Sequence, residues 1–289
     1  MTFRNSCILS LALALVGLAN GQLSTSLKLS KSQYVAGEPV TAVVTITNHA
    51  GQELTFASDG RTPWLDFMMN DRNGESATPR GNANFGRMTL RAGETMAREV
   101  DLAQYFQLSE PGNFSVTAIV HMPGNRLEGS STNRVLFNQS PGVLYWSQKV
   151  GVAGRPGQTR EFRVLTFSGD QKTQIYAQIK DDRTGQNVRT FLLGDVLLLR
   201  KPLVTIDRGQ RLNLMFLATP TMWVHCQIDT DGKLVNRQIH QRGPQGDPQL
   251  MTAADGNVSV ANSIPYDPKA AAEARAKIHK LSDRPAMVY

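Results

Sequence analysis

Cysteine is scarce in this chain of 289 residues, which contains only Cys7 and Cys226. Two cysteines exclude a disulfide scaffold and a four-cysteine zinc ribbon. The 24 glycines and 14 prolines are close to average frequencies, which excludes collagen-like and low-complexity chains. With 40% apolar and 19% charged residues, the composition is that of a globular protein long enough to build its own hydrophobic cores.

Recognisable catalytic and metal-binding motifs are also lacking. The five histidines do not have the HxxxH or HxH spacing of metal ligands, and there is no Gly-x-Ser-x-Gly elbow or Gly-rich phosphate loop. The segment Asp229–Gly232 resembles the start of a calcium loop but lacks its later acidic ligands, so we interpret it as a hairpin turn. We therefore expect no catalytic residue, no metal and no cofactor, and we favour a protein that is not an enzyme.

Long hydrophobic runs are absent except at the N-terminus. Arg4 is the only charged residue among the first 27, and it precedes the apolar run Ile8–Val16 and the small residues Ala19 and Gly21. This order is typical of a secretory signal peptide. The alternative, an uncleaved membrane anchor, needs about 20 apolar residues. We predict a signal peptide at residues 1–21 and a mature chain that begins at Gln22.

Cleavage after residue 21 would remove Cys7 and leave Cys226 as the single cysteine. The mature chain would then have no intramolecular disulfide, whereas secreted eukaryotic proteins of this size usually carry several. This favours a bacterial exported protein that is periplasmic, on the cell surface or extracellular. No later segment is apolar enough to cross a membrane.

Short alternating strands dominate the first half, which we assign to a domain at residues 22–152. In Thr41–Asn48 one face carries Ala42, Val44 and Ile46, and most residues of the other face are polar, as in a half-buried strand. Turn residues such as Asn70–Gly74 separate about seven to nine such strands, which is the pattern of a β-sandwich.

Particular residues of this half resemble the bacterial immunoglobulin-like domains. They are Tyr34, Gly37-Glu38-Pro39-Val40, Asn48, Leu54-x-Phe56, Gly93-Glu94 and Gly112-x-Phe114-x-Val116-x-Ala118. The resemblance covers roughly residues 25–152, with Phe114 at a position where the family usually has tyrosine. It implies an immunoglobulin-like sandwich and says almost nothing about function, since such folds host many functions.

The second half is also predicted to be β-structure. Glycines and a proline at residues 150–157 predict a linker, followed by an antiparallel β-rich domain at residues 153–266. Turns that contain Asp and Gly join its strands, and one of these predicted strands is the apolar run Val196–Leu199. The rhythm is similar to that of propeller blades, but the domain is too short for a propeller. We expect an all-β chain whose second domain is a small sandwich or meander, with a C-terminal helix and tail at residues 267–289.

Positive charge is concentrated in the second half. Residues 22–152 contain 11 basic and 11 acidic residues, whereas residues 153–289 contain 19 basic and 13 acidic ones. An excess of this kind attracts polyanions. The candidate binding residues lie around the predicted hairpin at Asp229–Gly232, where an aromatic ring beside basic groups suits a sugar or polyanion: they are Trp223, His225, Arg237, His240 and Arg242.

The two faces of the strand Met222–Ile228 differ in predicted role. Cys226 alternates with Met222 and Val224, so we expect a buried structural thiol there. His225 shares the opposite face with Trp223, and we expect that face to be a polar binding surface or simply solvated.

Three functions remain open at this level. The favoured one is a non-catalytic exported envelope or interaction protein that contacts a polyanion, a polysaccharide or a protein partner. The first alternative is a carbohydrate- or peptide-active hydrolase or lyase in which the second domain is catalytic. The second is an inhibitor-like first domain that presents the polar stretch Gly74–Arg87 to a protease.

Overall fold

The computed structural model describes residues 22–58, 63–81, 84–169 and 172–281. The predicted signal peptide, residues 1–21, and the last eight residues of the predicted tail, 282–289, lie outside these ranges. The described chain is almost entirely antiparallel β-structure with one C-terminal helix, which confirms the predicted all-β class. It divides into two compact units, with the boundary between Pro141 and Gly142.

The first unit contains ten described strands and one 3-10 turn at Leu102–Gln104. The strands are β1 (Leu23–Leu29), β2 (Gln33–Val35), β3 (Thr41–Asn48), β4 (Leu54–Phe56), β5 (Leu65–Asp71), β6 (Met88–Leu90), β7 (Thr95–Asp101), β8 (Gly112–Met122), β9 (Asn125–Ser131) and β10 (Val135–Ser140).

Two sheets enclose the core of this unit. One has the order β1-β3-β7, and the other has the order β2-β10-β8-β5, with β9 also paired to β8. Alternate residues of β3 are fully buried, as the period-2 pattern predicts. They join inward-facing residues of the second sheet, such as Leu65 and Val116, in one hydrophobic cluster. Burial of these apolar faces is the main stabilising contribution to the unit.

Buried polar side chains fix the turns of the first unit. Glu38 is 3% exposed, and its carboxylate accepts hydrogen bonds from the Val35 amide at 2.7 Å and from Lys31 Nζ at 2.8 Å. Gly37 beside it has a φ of 84°, a conformation that favours glycine. Asn48, fully buried, donates to the carbonyls of Gln52 and Leu90. Two of the motif residues, Glu38 and Asn48, thus hold turns.

The second unit contains eleven described strands and the helix α1. The elements are β11 (Val143–Gly151), β12 (Thr159–Ser168), β13 (Thr173–Asp181), β14 (Asn187–Asp195), β15 (Leu203–Ile206), β16 (Leu212–Thr219), β17 (Met222–Ile228), β18 (Leu234–Arg242), β19 (Gln249–Thr252), β20 (Val258–Ala261), β21 (Ser263–Pro265) and α1 (Pro268–Leu281).

A sheet buried on both faces forms the centre of this unit. Strands β11-β12-β13-β14 form one sheet, and β15-β16-β17-β18-β21 form the other. The two share a main core that includes Phe162, Ile179, Phe216 and Cys226. On its opposite face the second sheet buries a smaller cluster of Met215, Leu217 and Trp223, against which residues of the β14–β15 segment and of the hairpin β19-β20 pack. Accordingly, six consecutive residues of β16, Leu212–Leu217, are buried.

The division between the units differs from the predicted linker at residues 150–157. The strand β11, assigned by the sequence to the first domain, pairs with β12 along its length, and its Val150 is part of the second unit's core. The glycines that suggested a linker form the turn between β11 and β12, where Gly154 and Gly157 have φ values of 73° and 79°.

The apolar run Val196–Leu199 is not a strand, contrary to prediction. The strand β14 ends at Asp195, and the chain then turns, leaving Leu198 and Leu199 55% and 74% exposed. Val196 alone of the four enters the main core, while Leu197 packs on the smaller cluster. The first two residues of the run thus contribute to two different cores, and the last two are exposed.

The C-terminal helix begins as the sequence predicts. Asp267 Oδ1 accepts a hydrogen bond from the Lys269 amide at 2.8 Å, and Pro268 is the first helical residue, which is the usual arrangement at a helix N-terminus. Among the described residues, no helix is long and apolar enough to cross a membrane.

Candidate functional site

The residues predicted as a binding cluster lie on β17 and β18 but do not share one face. In this antiparallel pair Trp223 is opposite His240, His225 is opposite Gln238 and Cys226 is opposite Arg237. Opposed residues point to the same side of a sheet. The structure therefore brings Trp223, His225, His240 and Arg242 to one face and places Arg237 on the other face with Cys226.

The Trp223–His225 face is buried, which corrects the expected polar or solvated surface. Trp223, His225 and His240 are each 4% exposed. Trp223 packs against Met215 and Leu217 and against residues from the hairpin β19-β20. Because that hairpin is distant in sequence from β17, the alternation of residues within β17 could not reveal that the hairpin covers Trp223.

The thiol on the other face is structural, as predicted. Cys226 is fully buried in the main core and is a free cysteine. Burial raises its pKa to about 11, against the opposing charge of Arg237. A protonated, inaccessible thiol is a poor nucleophile and a poor metal ligand.

A chain of buried polar groups ends at His225. Asn213 Nδ2 donates to the Asp207 carboxylate at 3.3 Å, and this directs the amide oxygen of Asn213 the other way. That oxygen lies 3.2 Å from Nε2 of His225 and accepts a second bond from Gln227 at 3.0 Å. Since an amide oxygen only accepts, Nε2 of His225 carries the proton.

His240 has a separate partner, Ser263, whose Oγ lies 3.2 Å from Nδ1 of the imidazole. The remaining nitrogens, Nδ1 of His225 and Nε2 of His240, are buried and have no hydrogen-bond partner within the described chain. Burial lowers the pKa of both histidines, with His240 adding to the effect on His225, whose pKa falls to about 4. Both rings are neutral at neutral pH.

Arg242 belongs to an ion-pair cluster at the end of this face. Its Nε donates to one oxygen of Asp247 at 2.7 Å, and Arg200 Nε donates to the other at 2.9 Å. The hydrogen bond from Arg200, followed by that from Arg242, lowers the pKa of Asp247. The two arginine side chains remain 58% and 61% exposed, so they retain N–H groups for a ligand.

Beside this cluster lies a groove of about 700 Å³, which we call the aromatic groove. Its aromatic residues are Tyr145, Trp146 and Trp223, and its charged residues are Arg200, Lys201 and Asp247. Tyr145 is 37% exposed and is held by a 2.8 Å hydrogen bond from its hydroxyl to the Pro202 carbonyl. Trp223 is nearly buried and contributes only part of the wall.

A bulge in β11 explains how two consecutive aromatic residues line the same groove. Leu144 pairs with Leu165 and Trp146 pairs with Val164, leaving Tyr145 as the extra residue. In a regular strand these neighbours would point to opposite faces, and a bulge re-aims one of them. Sequence analysis missed Tyr145, Trp146, Arg200 and Lys201, because neither the bulge nor the proximity of β11 to the segment before β15 leaves a local pattern.

The first unit contains a larger cavity, of about 890 Å³, between β5 and the stretch Gly74–Arg87. The described part of this stretch is held against the unit by hydrogen bonds and is not a free loop of the kind expected to contact a protease. Phe85 is 2% exposed, and its carbonyl accepts a bond from Arg98 at 2.8 Å, while the Gly86 carbonyl accepts one from Trp64.

Within the described residues, no group of three or more His, Cys, Asp or Glu side chains is arranged to hold a metal ion. His225 and His240 are paired in space, with ring centroids 6.3 Å apart, but no described carboxylate or thiol completes a larger ligand set.

Among known proteins, similarity to this chain is found at the level of structure. No protein-family model matches the chain, and no curated protein matches it. The sporulation control protein Spo0M of Bacillus subtilis matches with 13% sequence identity, covering 60% of this chain and 91% of Spo0M, at a TM-score of 0.28. A TM-score this low carries no argument about fold or function.

Proposed function

We propose that this chain is an exported, non-catalytic interaction protein whose second unit binds an anionic polysaccharide in the aromatic groove. The observation that carries the proposal is the juxtaposition of the exposed Tyr145 ring with the cations of Arg200 and Lys201 in one groove. Sugar rings stack on aromatic faces, and carboxylate or sulfate groups form charge-assisted hydrogen bonds with arginine and lysine.

The charge of the groove supports an anionic ligand. Asp247 is shared by two arginines, so the Arg200–Arg242–Asp247 cluster carries net positive charge. Lys201 is exposed and has no ion-pair partner within the described residues. The excess of basic residues in the second half of the chain would add a longer-range attraction to a polyanion.

The first unit is proposed to be an immunoglobulin-like spacer or platform. Its polar motif residues, Glu38 and Asn48, are engaged in turns. Its two sheets share one core, as sandwich domains do. Export is proposed from residues 1–21 of the sequence, and the mass of the mature protein tests it, since a chain that begins near Gln22 is expected.

Binding and turnover by the full chain distinguish this proposal from the hydrolase alternative. Heparin, alginate and neutral dextran are immobilised separately and tested for capture of the protein at low and high salt. We expect salt-sensitive capture by the anionic polymers only, with no shortening of the chains on prolonged incubation. Equal retention on dextran, or release of oligosaccharides, would overturn the proposal.

A further inference from the structure

The buried pair of histidines behind the aromatic groove takes no part in the proposed saccharide binding. His225 and His240 are each 4% exposed, and each has one ring nitrogen that is shielded from solvent and has no partner within the described chain. Buried polar atoms are nearly always hydrogen-bonded. Two unpaired nitrogens on neighbouring rings therefore point to a missing group that both can contact.

The hydrogen bonds of the two rings show where that group would lie. In the strand order β16-β17-β18-β21, His225 on β17 is anchored outward to Asn213 on β16, and His240 on β18 is anchored outward to Ser263 on β21. The two nitrogens of an imidazole lie on opposite sides of the ring. The unpaired Nδ1 of His225 and Nε2 of His240 are consequently on the inner side, toward the space between the two strands.

The protonation of His225 defines what this space accepts. Its Nε2 donates to Asn213, whose own orientation is set by Asp207, so Nδ1 presents a lone pair. The hydroxyl of Ser263 can accept a hydrogen bond from Nδ1 of His240 as well as donate one. When Nδ1 donates, Nε2 of His240 carries no proton and presents a lone pair too. Two neutral imidazole lone pairs in one buried layer attract a cation and cannot hydrogen-bond to one another.

The spacing of the rings matches a two-coordinate ion. A metal–nitrogen bond is about 2 Å long, and the nitrogen lies about 1.1 Å from the centre of the ring. Two imidazoles on opposite sides of one ion therefore have centroids about 6.2 Å apart, whereas two imidazoles at a tetrahedral angle have centroids about 5 Å apart. The observed separation is 6.3 Å. Linear coordination by two ligands is characteristic of soft monovalent d¹⁰ cations, whereas zinc takes four ligands.

We propose that His225 and His240 bind one copper(I) ion between Nδ1 of His225 and Nε2 of His240. The buried Met215, directly opposite His225 on β16, places a thioether residue in the same layer, and thioethers favour copper(I). Silver(I) has the same coordination preference and does not change oxidation state, so it is the probe for the site.

The test uses a full-length Cys7→Ser variant, because the remaining thiol, Cys226, is buried in the main core and inaccessible to the ion. Silver(I) is titrated in a chloride-free buffer at neutral pH, and the ring nitrogens are followed by long-range ¹H–¹⁵N NMR. We expect one equivalent to shift Nδ1 of His225 and Nε2 of His240, leaving the rings of His49 and His121 unchanged. Zinc is expected to shift neither nitrogen at the same concentration.

Variants distinguish a proposed ligand, His240, from Ser263, the residue that orients it. His240→Gln should weaken silver(I) binding by more than about 100-fold, and Ser263→Ala, which removes only the hydrogen bond that orients His240, by about tenfold. His121→Gln is the matched control and should bind like the parent. If silver(I) leaves both ring nitrogens of the parent unshifted, a buried water rather than a metal ion occupies the space and the proposal is overturned. This result is readable even if the histidine variants fail to fold, and it does not depend on saccharide binding.

Discussion

Trp223 and His240 face each other across the antiparallel pair β17–β18, and both are 4% exposed. Trp223 forms part of the wall of the aromatic groove, whereas His240 belongs to the buried polar layer behind it. One face of the central sheet of the second unit thus carries a candidate surface site at its edge and a candidate metal site in its interior.

The Tyr145 ring is expected to supply stacking in the aromatic groove. Tyr145→Ala removes the exposed face and should weaken binding to an anionic oligosaccharide about three- to tenfold, the range expected for an aromatic contact. Tyr145→Phe keeps the ring and loses only the bond to the Pro202 carbonyl, so it should bind nearly as well as the parent. Calorimetric titration checks both. Equal affinity of the Ala variant and the parent would exclude stacking on this ring.

Asp247 is expected to restrain two arginines that a polyanion would otherwise engage. Asp247→Asn removes one negative charge, and binding to heparin at pH 7 should become several-fold tighter. Because its arginine partners lower the pKa of Asp247, the carboxylate stays ionised as the pH falls toward the usual aspartate range. The tighter heparin binding of Asp247→Asn relative to the parent should therefore persist at pH 4.5. A variant with unchanged heparin affinity at both values would contradict this role.

Asn213 links Asp207 to His225 in the buried layer. Asn213→Ala would leave the imidazole of His225 without an acceptor and Gln227 with only its long 3.5 Å bond to Asp207, and each unsatisfied buried group costs about 1–3 kcal/mol. We expect the free energy of unfolding measured in urea to fall by at least about 2 kcal/mol. Asn138→Ala is the control, since it removes an exposed bond to Asn113 and should change stability by less than about 0.5 kcal/mol.

Cys226 is expected to be unreactive in the folded protein. Burial raises its pKa to about 11, so at pH 8 the group is an inaccessible thiol rather than a thiolate. In a Cys7→Ser background, where Cys226 is the only thiol, Ellman's reagent should react in denaturant and leave the native protein unmodified for hours. Rapid modification of the native protein would show that the core around β17 opens.

Local patterns predicted much of this architecture. The alternation in β3 and the Asp-Gly turn after β17 identified strands that the structure contains. The helix predicted within residues 267–289 is present as α1. These signals are short in range, because side-chain alternation, turn chemistry and capping each depend on a few neighbouring residues.

The candidate site depends on contacts that local patterns do not encode. The strand after the predicted hairpin, β18, continues to Arg242, and its alternation separates Arg237 from His240 and Arg242. The bulge at Tyr145 and the cover over Trp223 arise from pairing between distant segments. The apolar run Val196–Leu199 misled the prediction because continuous hydrophobicity does not distinguish a strand from a segment that spans two cores.

Charge reversal in the aromatic groove tests the central claim most directly. The full-length parent is compared with an Arg200→Glu, Lys201→Glu variant and with a matched Lys233→Glu, Arg237→Glu variant, in which the same net charge changes outside the groove. Each is titrated with a heparin oligosaccharide of defined length at several salt concentrations. We predict a loss of affinity of at least about tenfold and a shallower salt dependence for the groove variant only. Equal losses in the two variants would show that net charge, and not the groove, binds the polymer.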